Sequence, residues 1–547
     1  MADDTPTTAP EGAPELSETA RSVRDAYAFD GARIHLGALI EDLAANEPNP
    51  AVPVHLSLPM LNRHGLIAGA TGTGKTRTLQ VVAEQVAAAG TPVFVADMKG
   101  DLSGIAVPGE DTPAIRERAA ARGQQWQPRA GTTEFYSLGG QGPGVPIRTT
   151  VSDFGPVLLS KVLGLNATQE SSLGLIVHYA DTHGLGLLDL KDLRALIQFL
   201  TADDEGKKEL KALGGVSSAT AGVILRELTA FEASGADVFF GEPAFDTADL
   251  LRTAPDGTGI VSCLELPAVA TRPALFSTFM MWLLADLYQD LPEVGDTDRP
   301  KLVFFFDEAH LLFADASKAF LEQVTQTVRL IRSKGVGIVF VTQTPKDVPA
   351  DVLAQLGNRV QHALRAYTPD DAKALRATAR TFPTSAYDLE SVLTSLPTGA
   401  AVVTVMSEEG APTPVAVTAV RAPESSMAPC PAETMTALIQ ASPLQARYGE
   451  MIDRESAYEI LAARDRAAAQ PAAPAPARPE QGGNPYDVPA SDPGRASSRP
   501  RAERPRASRK DEGGLLDNPA VTSFLRSAGT VLGREITRSL FGTRRRR

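Results

Sequence analysis

The sequence predicts an α/β fold in which a mostly parallel sheet is covered by helices on both faces. Two observations carry that prediction. Short apolar runs, continuous rather than alternating, recur along the chain and are separated by stretches of helical periodicity. One run, Gly65-Leu66-Ile67-Ala68, feeds into a glycine-rich loop and a helix-forming stretch, and a second apolar run follows, the order of a strand, helix and parallel strand. At 547 residues the chain is too long for one core, so a large globular unit with appendages is expected.

Residues 1–28 are acidic and rich in Pro and Thr, lack the basic start and apolar stretch of a secretory signal, and read as a disordered leader. Residues 29–60 form a short lead-in with strands at 34–40 and 52–58. The first part of the core, 61–150, holds the strand 65–68, the glycine loop, a helix over 76–89, and a strand at 91–96 that ends in Asp97-Met98-Lys99-Gly100-Asp101. From 151 to 255 the period becomes helical, through Leu158, Leu159, Val162 and Leu163 and then Leu187, Leu190, Leu193, Leu196 and Leu200, so this is a helical insertion. Strands return at 259–264, 302–306, 336–341, 360–365 and 400–405, making 256–465 the second part of the core. Residues 466–514, rich in Ala and Pro and then in Arg, Ser and Pro, cannot bury enough apolar surface to fold and form a disordered linker. In 515–547, Asn518 is an N-cap, Pro519 takes the first helical position, and Val521, Leu525, Ala528, Leu532, Ile536 and Leu540 line one face of an amphipathic helix that ends in a basic tail. That helix reads as a docking element for its own chain, a neighbouring subunit or a protein partner, with nucleic-acid or membrane-surface contact as the alternative.

The net charge of −13 argues against a general nucleic-acid coat, so any contact with DNA must be made by a local lining. Charge is uneven: from Asp492 to Arg547 there are fourteen Lys and Arg against six Asp and Glu. The longest strongly apolar stretch, 275–287, falls short of the about 20 residues that span a bilayer, so no membrane anchor is expected. Cys263 and Cys430 stand far apart without metal-ligand spacing, which indicates neither a disulfide framework nor a zinc site and fits a cytoplasmic location.

The chemistry concentrates in two places. In Gly69-Ala70-Thr71-Gly72-Thr73-Gly74-Lys75-Thr76 the glycines let successive N–H groups converge on phosphate oxygens, and the helix that follows adds partial positive charge there. Lys75 then reaches the β and γ phosphates of ATP and the Thr76 hydroxyl holds Mg2+, the Walker A arrangement. The strand 302–306 delivers Asp307 and Glu308 at its carboxyl end, where ligands bind in open α/β sheets; Asp307 is the magnesium residue and Glu308 the general base for water. Gln343, at the tip of the strand 336–341, can sense the γ phosphate and position water, its bland alternative being a turn residue. Of the cations before that strand, Arg332 is the candidate arginine finger for a neighbour's γ phosphate, against a solvated basic face; Arg359 and Arg365 are weaker candidates. Cys263, His64 and His310 read as packing or supporting residues rather than ligands.

With these motifs in hand, the chain resembles the HerA/FtsK superfamily of P-loop motor ATPases, and within it the HerA-like branch that includes YjgR. The residues that carry the likeness are LNRHGLIAGATGTGKT (61–76), ADMKGDLSG (96–104), FFFDEAHLLF (304–313), RLIRSKGVGIVFVTQTPKDVP (329–349) and LGNRVQHALRAYTP (356–369), within a span of roughly 34–458. The resemblance implies a RecA-like P-loop NTPase, often a hexameric ring that moves double-stranded DNA through its pore. It carries Lys75, Thr76, Asp307, Glu308 and Gln343 into their roles and sets Arg332 where the family's trans-acting arginine lies. HerA helicases proper have an N-terminal barrel that docks a nuclease, and the residues before Leu61 are too few for one. The string DEAH at 307–310 is not read as a superfamily-two helicase motif, because no second ATPase-like domain with its arginine motif is visible. The expected function is an ATP-driven, ring-forming translocase or helicase on double-stranded DNA. The alternative is a protein-remodelling or regulatory ATPase indifferent to DNA.

Overall fold

A computed structural model describes residues 16–469, except 296 and 314–317. The chain divides into two units; the second, Leu461–Leu540, is described only to residue 469, as the end of a helix spanning Ala457–Ala469. Of the disordered linker expected at 466–514, residues 466–469 instead continue that helix; the rest of it and the amphipathic helix expected at 515–547 lie outside the described residues.

One 12-stranded sheet organises the body. Its strands are β1 (Arg33–Ile40), β2 (Pro48–Ser57), β3 (Gly65–Ala68), β4 (Val93–Asp97), β5 (Thr133–Leu138), β6 (Val145–Ile147), β7 (Val261–Glu265), β8 (Leu302–Phe306), β9 (Val336–Thr342), β10 (Asn358–His362), β11 (Ala400–Thr404) and β12 (Ala416–Val420). Their order is β2-β1-β12-β11-β10-β3-β9-β8-β4-β7-β5-β6. From β10 through β6 every neighbouring pair is parallel, while β11, β12, β1 and β2 extend the sheet antiparallel. This is the mostly parallel, RecA-like P-loop arrangement: the strand entering the glycine loop, β3, is separated from the carboxylate strand, β8, by β9 alone.

The strands are buried on both faces, which is why their sequences are apolar throughout rather than alternating. Alternate residues serve opposite layers. Two helices of one layer are α1 (Glu18–Ala26) and α2 (Lys75–Ala88), and Val95, Val303, Phe305, Val339 and Val341 pack with Leu79, Val82, Ala83 and Val86 of α2. On the other face Phe94 meets Phe304 at 5.1 Å and Phe279 at 6.3 Å, Phe279 belonging to the buried helix Pro273–Asp290. That helix contains the apolar stretch 275–287, and among the described residues no helix is long and apolar enough to cross a membrane. Between β6 and β7 the chain is helical, with segments Ala167–His183, Leu190–Ala202 and Ser218–Ala233 packed against one another; Leu187, Leu190, Leu193, Leu196 and Leu200 are all buried.

The expectation of a disordered leader through residue 28 is corrected from residue 18 onward. Helix α1 is capped by the Ser17 hydroxyl, which accepts from the Ala20 N–H, and it buries Ala20 and Val23 in the same core as α2. Tyr27 is fully buried, its hydroxyl donating to the carbonyls of Val403 and Pro414 at 3.0 and 2.8 Å. The apolar spacing of Ala20, Val23 and Tyr27 was present in the sequence, masked by charged residues between them. Strands β5, β6 and β12 were also absent from the sequence expectation. β5 carries the polar Thr133, Glu134 and Ser137, β6 has three residues with Pro146 at its centre, and β12 is a short antiparallel partner of β11.

Candidate active site

The carboxyl ends of β3, β9, β8 and β4 lie side by side, and each delivers functional side chains to that edge. The loop after β3 is fixed from beneath. Gly69 donates to the Thr342 carbonyl (3.2 Å), Ala70 to that of Ala363 (2.8 Å), and Gly399 to that of Thr73 (3.0 Å). Gly69 is required sterically, because a Cβ there would stand 2.5 Å from the Cβ of His362. Gly72 and Gly74 hold positive φ values of 77° and 116°, and α2 starts after Gly74 with no side-chain cap, which leaves its first N–H groups available to an anion. Lys75 is 8% exposed and its Nζ donates to the Ala70 carbonyl of its own loop at 3.2 Å. Burial lowers its pKa, while Glu308 and Asp307 act in the opposite direction. Thr71 is exposed and Thr76 is half-buried.

His362 forms the floor of this loop. It is fully buried at the end of β10, with Nε2 2.8 Å from the Thr78 hydroxyl of α2 and Nδ1 2.9 Å from the Ala400 carbonyl. The carbonyl accepts only from an N–H, so Nδ1 carries the proton and Nε2 accepts from Thr78. Burial pushes the imidazole down to about 4, so it is neutral near pH 7.

Asp307 and Glu308 leave the tip of β8 with 2% and 5% exposure. Burial, reinforced by the neighbouring Glu308, pushes the Asp307 carboxyl up to about 7, with Lys99 pulling the other way. Glu308 takes a left-handed backbone conformation (φ 49°), uncommon for a residue with a side chain. One of its oxygens is ion-paired with Lys99 and the other lies 3.1 Å from His310 Nδ1. Because Ala96 pairs with Phe306 in the sheet register, Asp97 and Asp307 emerge from adjacent strands together. Asp97, Asp101 and Asp307 each offer a carboxylate oxygen within 4.8 Å of the others. Asp101 Oδ1 and Asp307 Oδ2 are buried without a hydrogen-bond partner, a donor set that suits a hard divalent cation such as Mg2+.

The sequence-derived candidates therefore divide. Gly69 to Thr76, Asp307 and Glu308 converge on one edge, and Gln343 is exposed beside them at the end of β9. Arg332 does not join them. It sits half-buried in the short turn Arg332–Lys334 that precedes β9, at the opposite end of that strand. Seven strand residues at about 3.3 Å each put it roughly 20 Å from the carboxyl edge of its own chain. His64 is a packing residue: its ring bridges the Val328 carbonyl and the Ile338 N–H. Cys263 is buried beside Glu265, and His310 lies next to Glu308 without a hydrogen bond to it.

Lys99, Asp97, Asp101 and His362 were not assigned roles from sequence. For the first three a signal existed, since the strand at β4 ends in a polar run just as β8 does. His362, inside the apolar string Val-Gln-His-Ala-Leu, gave none.

The family model described as helicase HerA-like C-terminal matches residues 42–547. No curated protein matches the chain. Among solved structures it is similar to the unbound bacterial conjugative coupling protein TrwB, at 16% identity over 73% of this chain and 98% of that chain, with a TM-score of 0.48. TrwB in complex with a non-hydrolysable ATP analogue gives 17% identity, 73% and 97% coverage and a TM-score of 0.47. VirB4 of Thermoanaerobacter pseudethanolicus gives 14%, 72% and 97%, and 0.44.

Proposed function

The chain belongs to the HerA-like helicase family, and on that premise we propose that it is an ATP-hydrolysing motor that acts on double-stranded DNA as a homo-oligomeric, hexameric ring in the cytoplasm. One observation carries the reading: an uncapped helix N-terminus behind a glycine loop, a buried Asp-Glu pair and an exposed glutamine share one sheet edge. A site built this way binds a polyphosphate, neutralises it and presents a carboxylate to water.

The loop N–H groups beyond Ala70 and the Lys75 ammonium bind the phosphates, Lys75 exchanging the Ala70 carbonyl for ligand. Thr76 and Asp307, with Asp101 and Asp97 close by, are the residues that would hold Mg2+, which when bound neutralises phosphate charge. Glu308 takes the proton of the attacking water and Gln343 orients that water. Arg332, remote from its own chain's loop, serves the site of the next subunit, which makes the ring a requirement for turnover.

The test is ATP hydrolysis by the purified protein against Lys75→Ala and Glu308→Gln. Both variants lose turnover, and Glu308→Gln still binds ATP. Normal turnover in both would remove the site assignment.

A further inference from the structure

We propose that Lys99 is a positioning residue for Glu308: its ammonium, delivered from the neighbouring strand, holds the carboxylate in place and supplies the counter-charge that lets two buried acids stand side by side. The inference rests on the reading of Glu308 as the hydrolytic base. It goes beyond that reading by assigning a residue outside the loop, the Asp-Glu pair and the glutamine.

Three features of the structure carry it. The first is the rigidity of the platform. Asp97 Oδ1 accepts the N–H groups of Lys99 and Gly100 at 3.1 and 2.7 Å, and Oδ2 accepts that of Leu102 at 2.8 Å. Gly100 makes the turn with φ 78°, and Asp97 itself is buried, so the backbone that carries Lys99 is fixed even though the side chain is half exposed. The second is register. Ala96 opposes Phe306, so two residues beyond Asp97 the Lys99 side chain reaches the carboxylate one residue beyond Asp307.

The third is the imbalance of exposure across the contact. Lys99 has half its side chain in solvent, whereas the Glu308 side chain is 6% exposed. Between two exposed groups such a pair would contribute little; here one partner is a buried carboxylate flanked by another, and removing the cation leaves that charge without its neutralising neighbour. Lys75 also acts on Glu308 through its charge, but its Nζ is hydrogen-bonded to the Ala70 carbonyl, whereas Lys99 pairs directly with the carboxylate. Glu308 stands on a left-handed backbone at the strand tip, and its ion pair with Lys99 is a contact that holds the direction of the carboxylate, so loss of Lys99 changes where the base points.

The experiment compares Lys99→Met, Lys99→Arg, Glu308→Gln and the double variant Lys99→Met/Glu308→Gln with the unmodified full chain, reading kcat and KM for ATP and nucleotide binding by a fluorescent ATP analogue. Lys99→Met is expected to lower kcat at least tenfold while KM and analogue affinity stay within about threefold, and Lys99→Arg, which keeps the charge, to stay within about fivefold of the unmodified rate. Because Lys99 acts through Glu308, the double variant is expected to turn over no more slowly than Glu308→Gln alone. Lys99→Met within twofold of normal kcat, or a double variant slowed by the same factor again, would overturn the proposal while leaving Glu308 as base. Full activity of Glu308→Gln would instead overturn the reading on which it rests.

Discussion

Replacing His362 by alanine tests the floor of the nucleotide loop. The ring is fully buried and links Thr78 of α2 to the Ala400 carbonyl of β11. Its removal leaves two polar groups without partners, at about 1–2 kcal/mol each. It also leaves a cavity of roughly 60–80 Å3, which at about 24 cal/mol per Å3 adds about 1.5–2 kcal/mol. The expected loss is about 3.5–6 kcal/mol at pH 7.5, a large part of the stability of a typical domain. A second signature comes from protonation. The imidazole titrates near 4 in the folded chain and near 6.5 unfolded. The unfolded state therefore binds more protons between those values, and the His362 contribution, fully present above pH 6.5, falls away as pH drops toward 4, by about 3 kcal/mol. Urea unfolding at pH 7.5 and pH 5, with binding of an ATP analogue measured in parallel, resolves both. The variant should be less stable at pH 7.5, should show a shallower decline toward pH 5 than the unmodified chain, and should bind the analogue more weakly. A variant within 1 kcal/mol of normal at pH 7.5, with the original pH slope, would refute the assignment.

Further predictions concern the oligomer, the amino-terminal helix and a half-buried carboxylate. Arg332→Ala abolishes hydrolysis when assayed alone and recovers part of it when mixed with Glu308→Gln subunits; absence of recovery in the mixture would assign Arg332 a role within its own chain. Tyr27→Ala costs about 3–5 kcal/mol in urea unfolding, because a fully buried aromatic and two hydrogen bonds are lost; a change below 1 kcal/mol would remove α1 from the core. Burial pushes the Glu84 carboxyl up to about 7, against hydrogen bonds from the Glu424 and Ser425 N–H groups and the Ser425 hydroxyl. The folded state then binds the extra proton between the unfolded value of 4.5 and 7, so stability falls as pH rises through that window. Glu84→Gln should gain on the unmodified chain by about 3 kcal/mol from pH 4.5 to 7 in paired melts; parallel curves would contradict this.

How much of this was legible in the sequence depends on whether the signal was local. The strands β3, β4, β7 and β8 are short apolar runs that run into glycines or acids, and β9 into Thr342-Gln343; burial on both faces makes such runs visible without alignment to a partner. The places of the glycine loop and the Asp307-Glu308 pair at one sheet edge were legible for the same reason, since spacing along the chain and position at a strand end locate them. Strands β6 and β12 depend on pairing partners for their existence, and three residues centred on a proline carry no period. Lys99 and His362 act across strands: one reaches Glu308 from more than two hundred positions away, and the other sits beneath a loop far earlier in the chain. Those contacts follow from the order β10-β3-β9-β8-β4, which no local pattern specifies. Arg332 illustrates the converse, because its sequence position after a helix and before β9 was clear while the distance from its own loop became evident only with the strand direction.

The most direct test of the central claim is steady-state ATP turnover with and without linear duplex DNA, at low and moderate salt, with Lys75→Ala as the blank. A DNA motor predicts several-fold stimulation that weakens as salt rises, because phosphate contacts release counterions, and that is absent from the Lys75 variant. Turnover that is present but indifferent to DNA at both salt concentrations would contradict the account and assign the ATPase to a protein substrate instead.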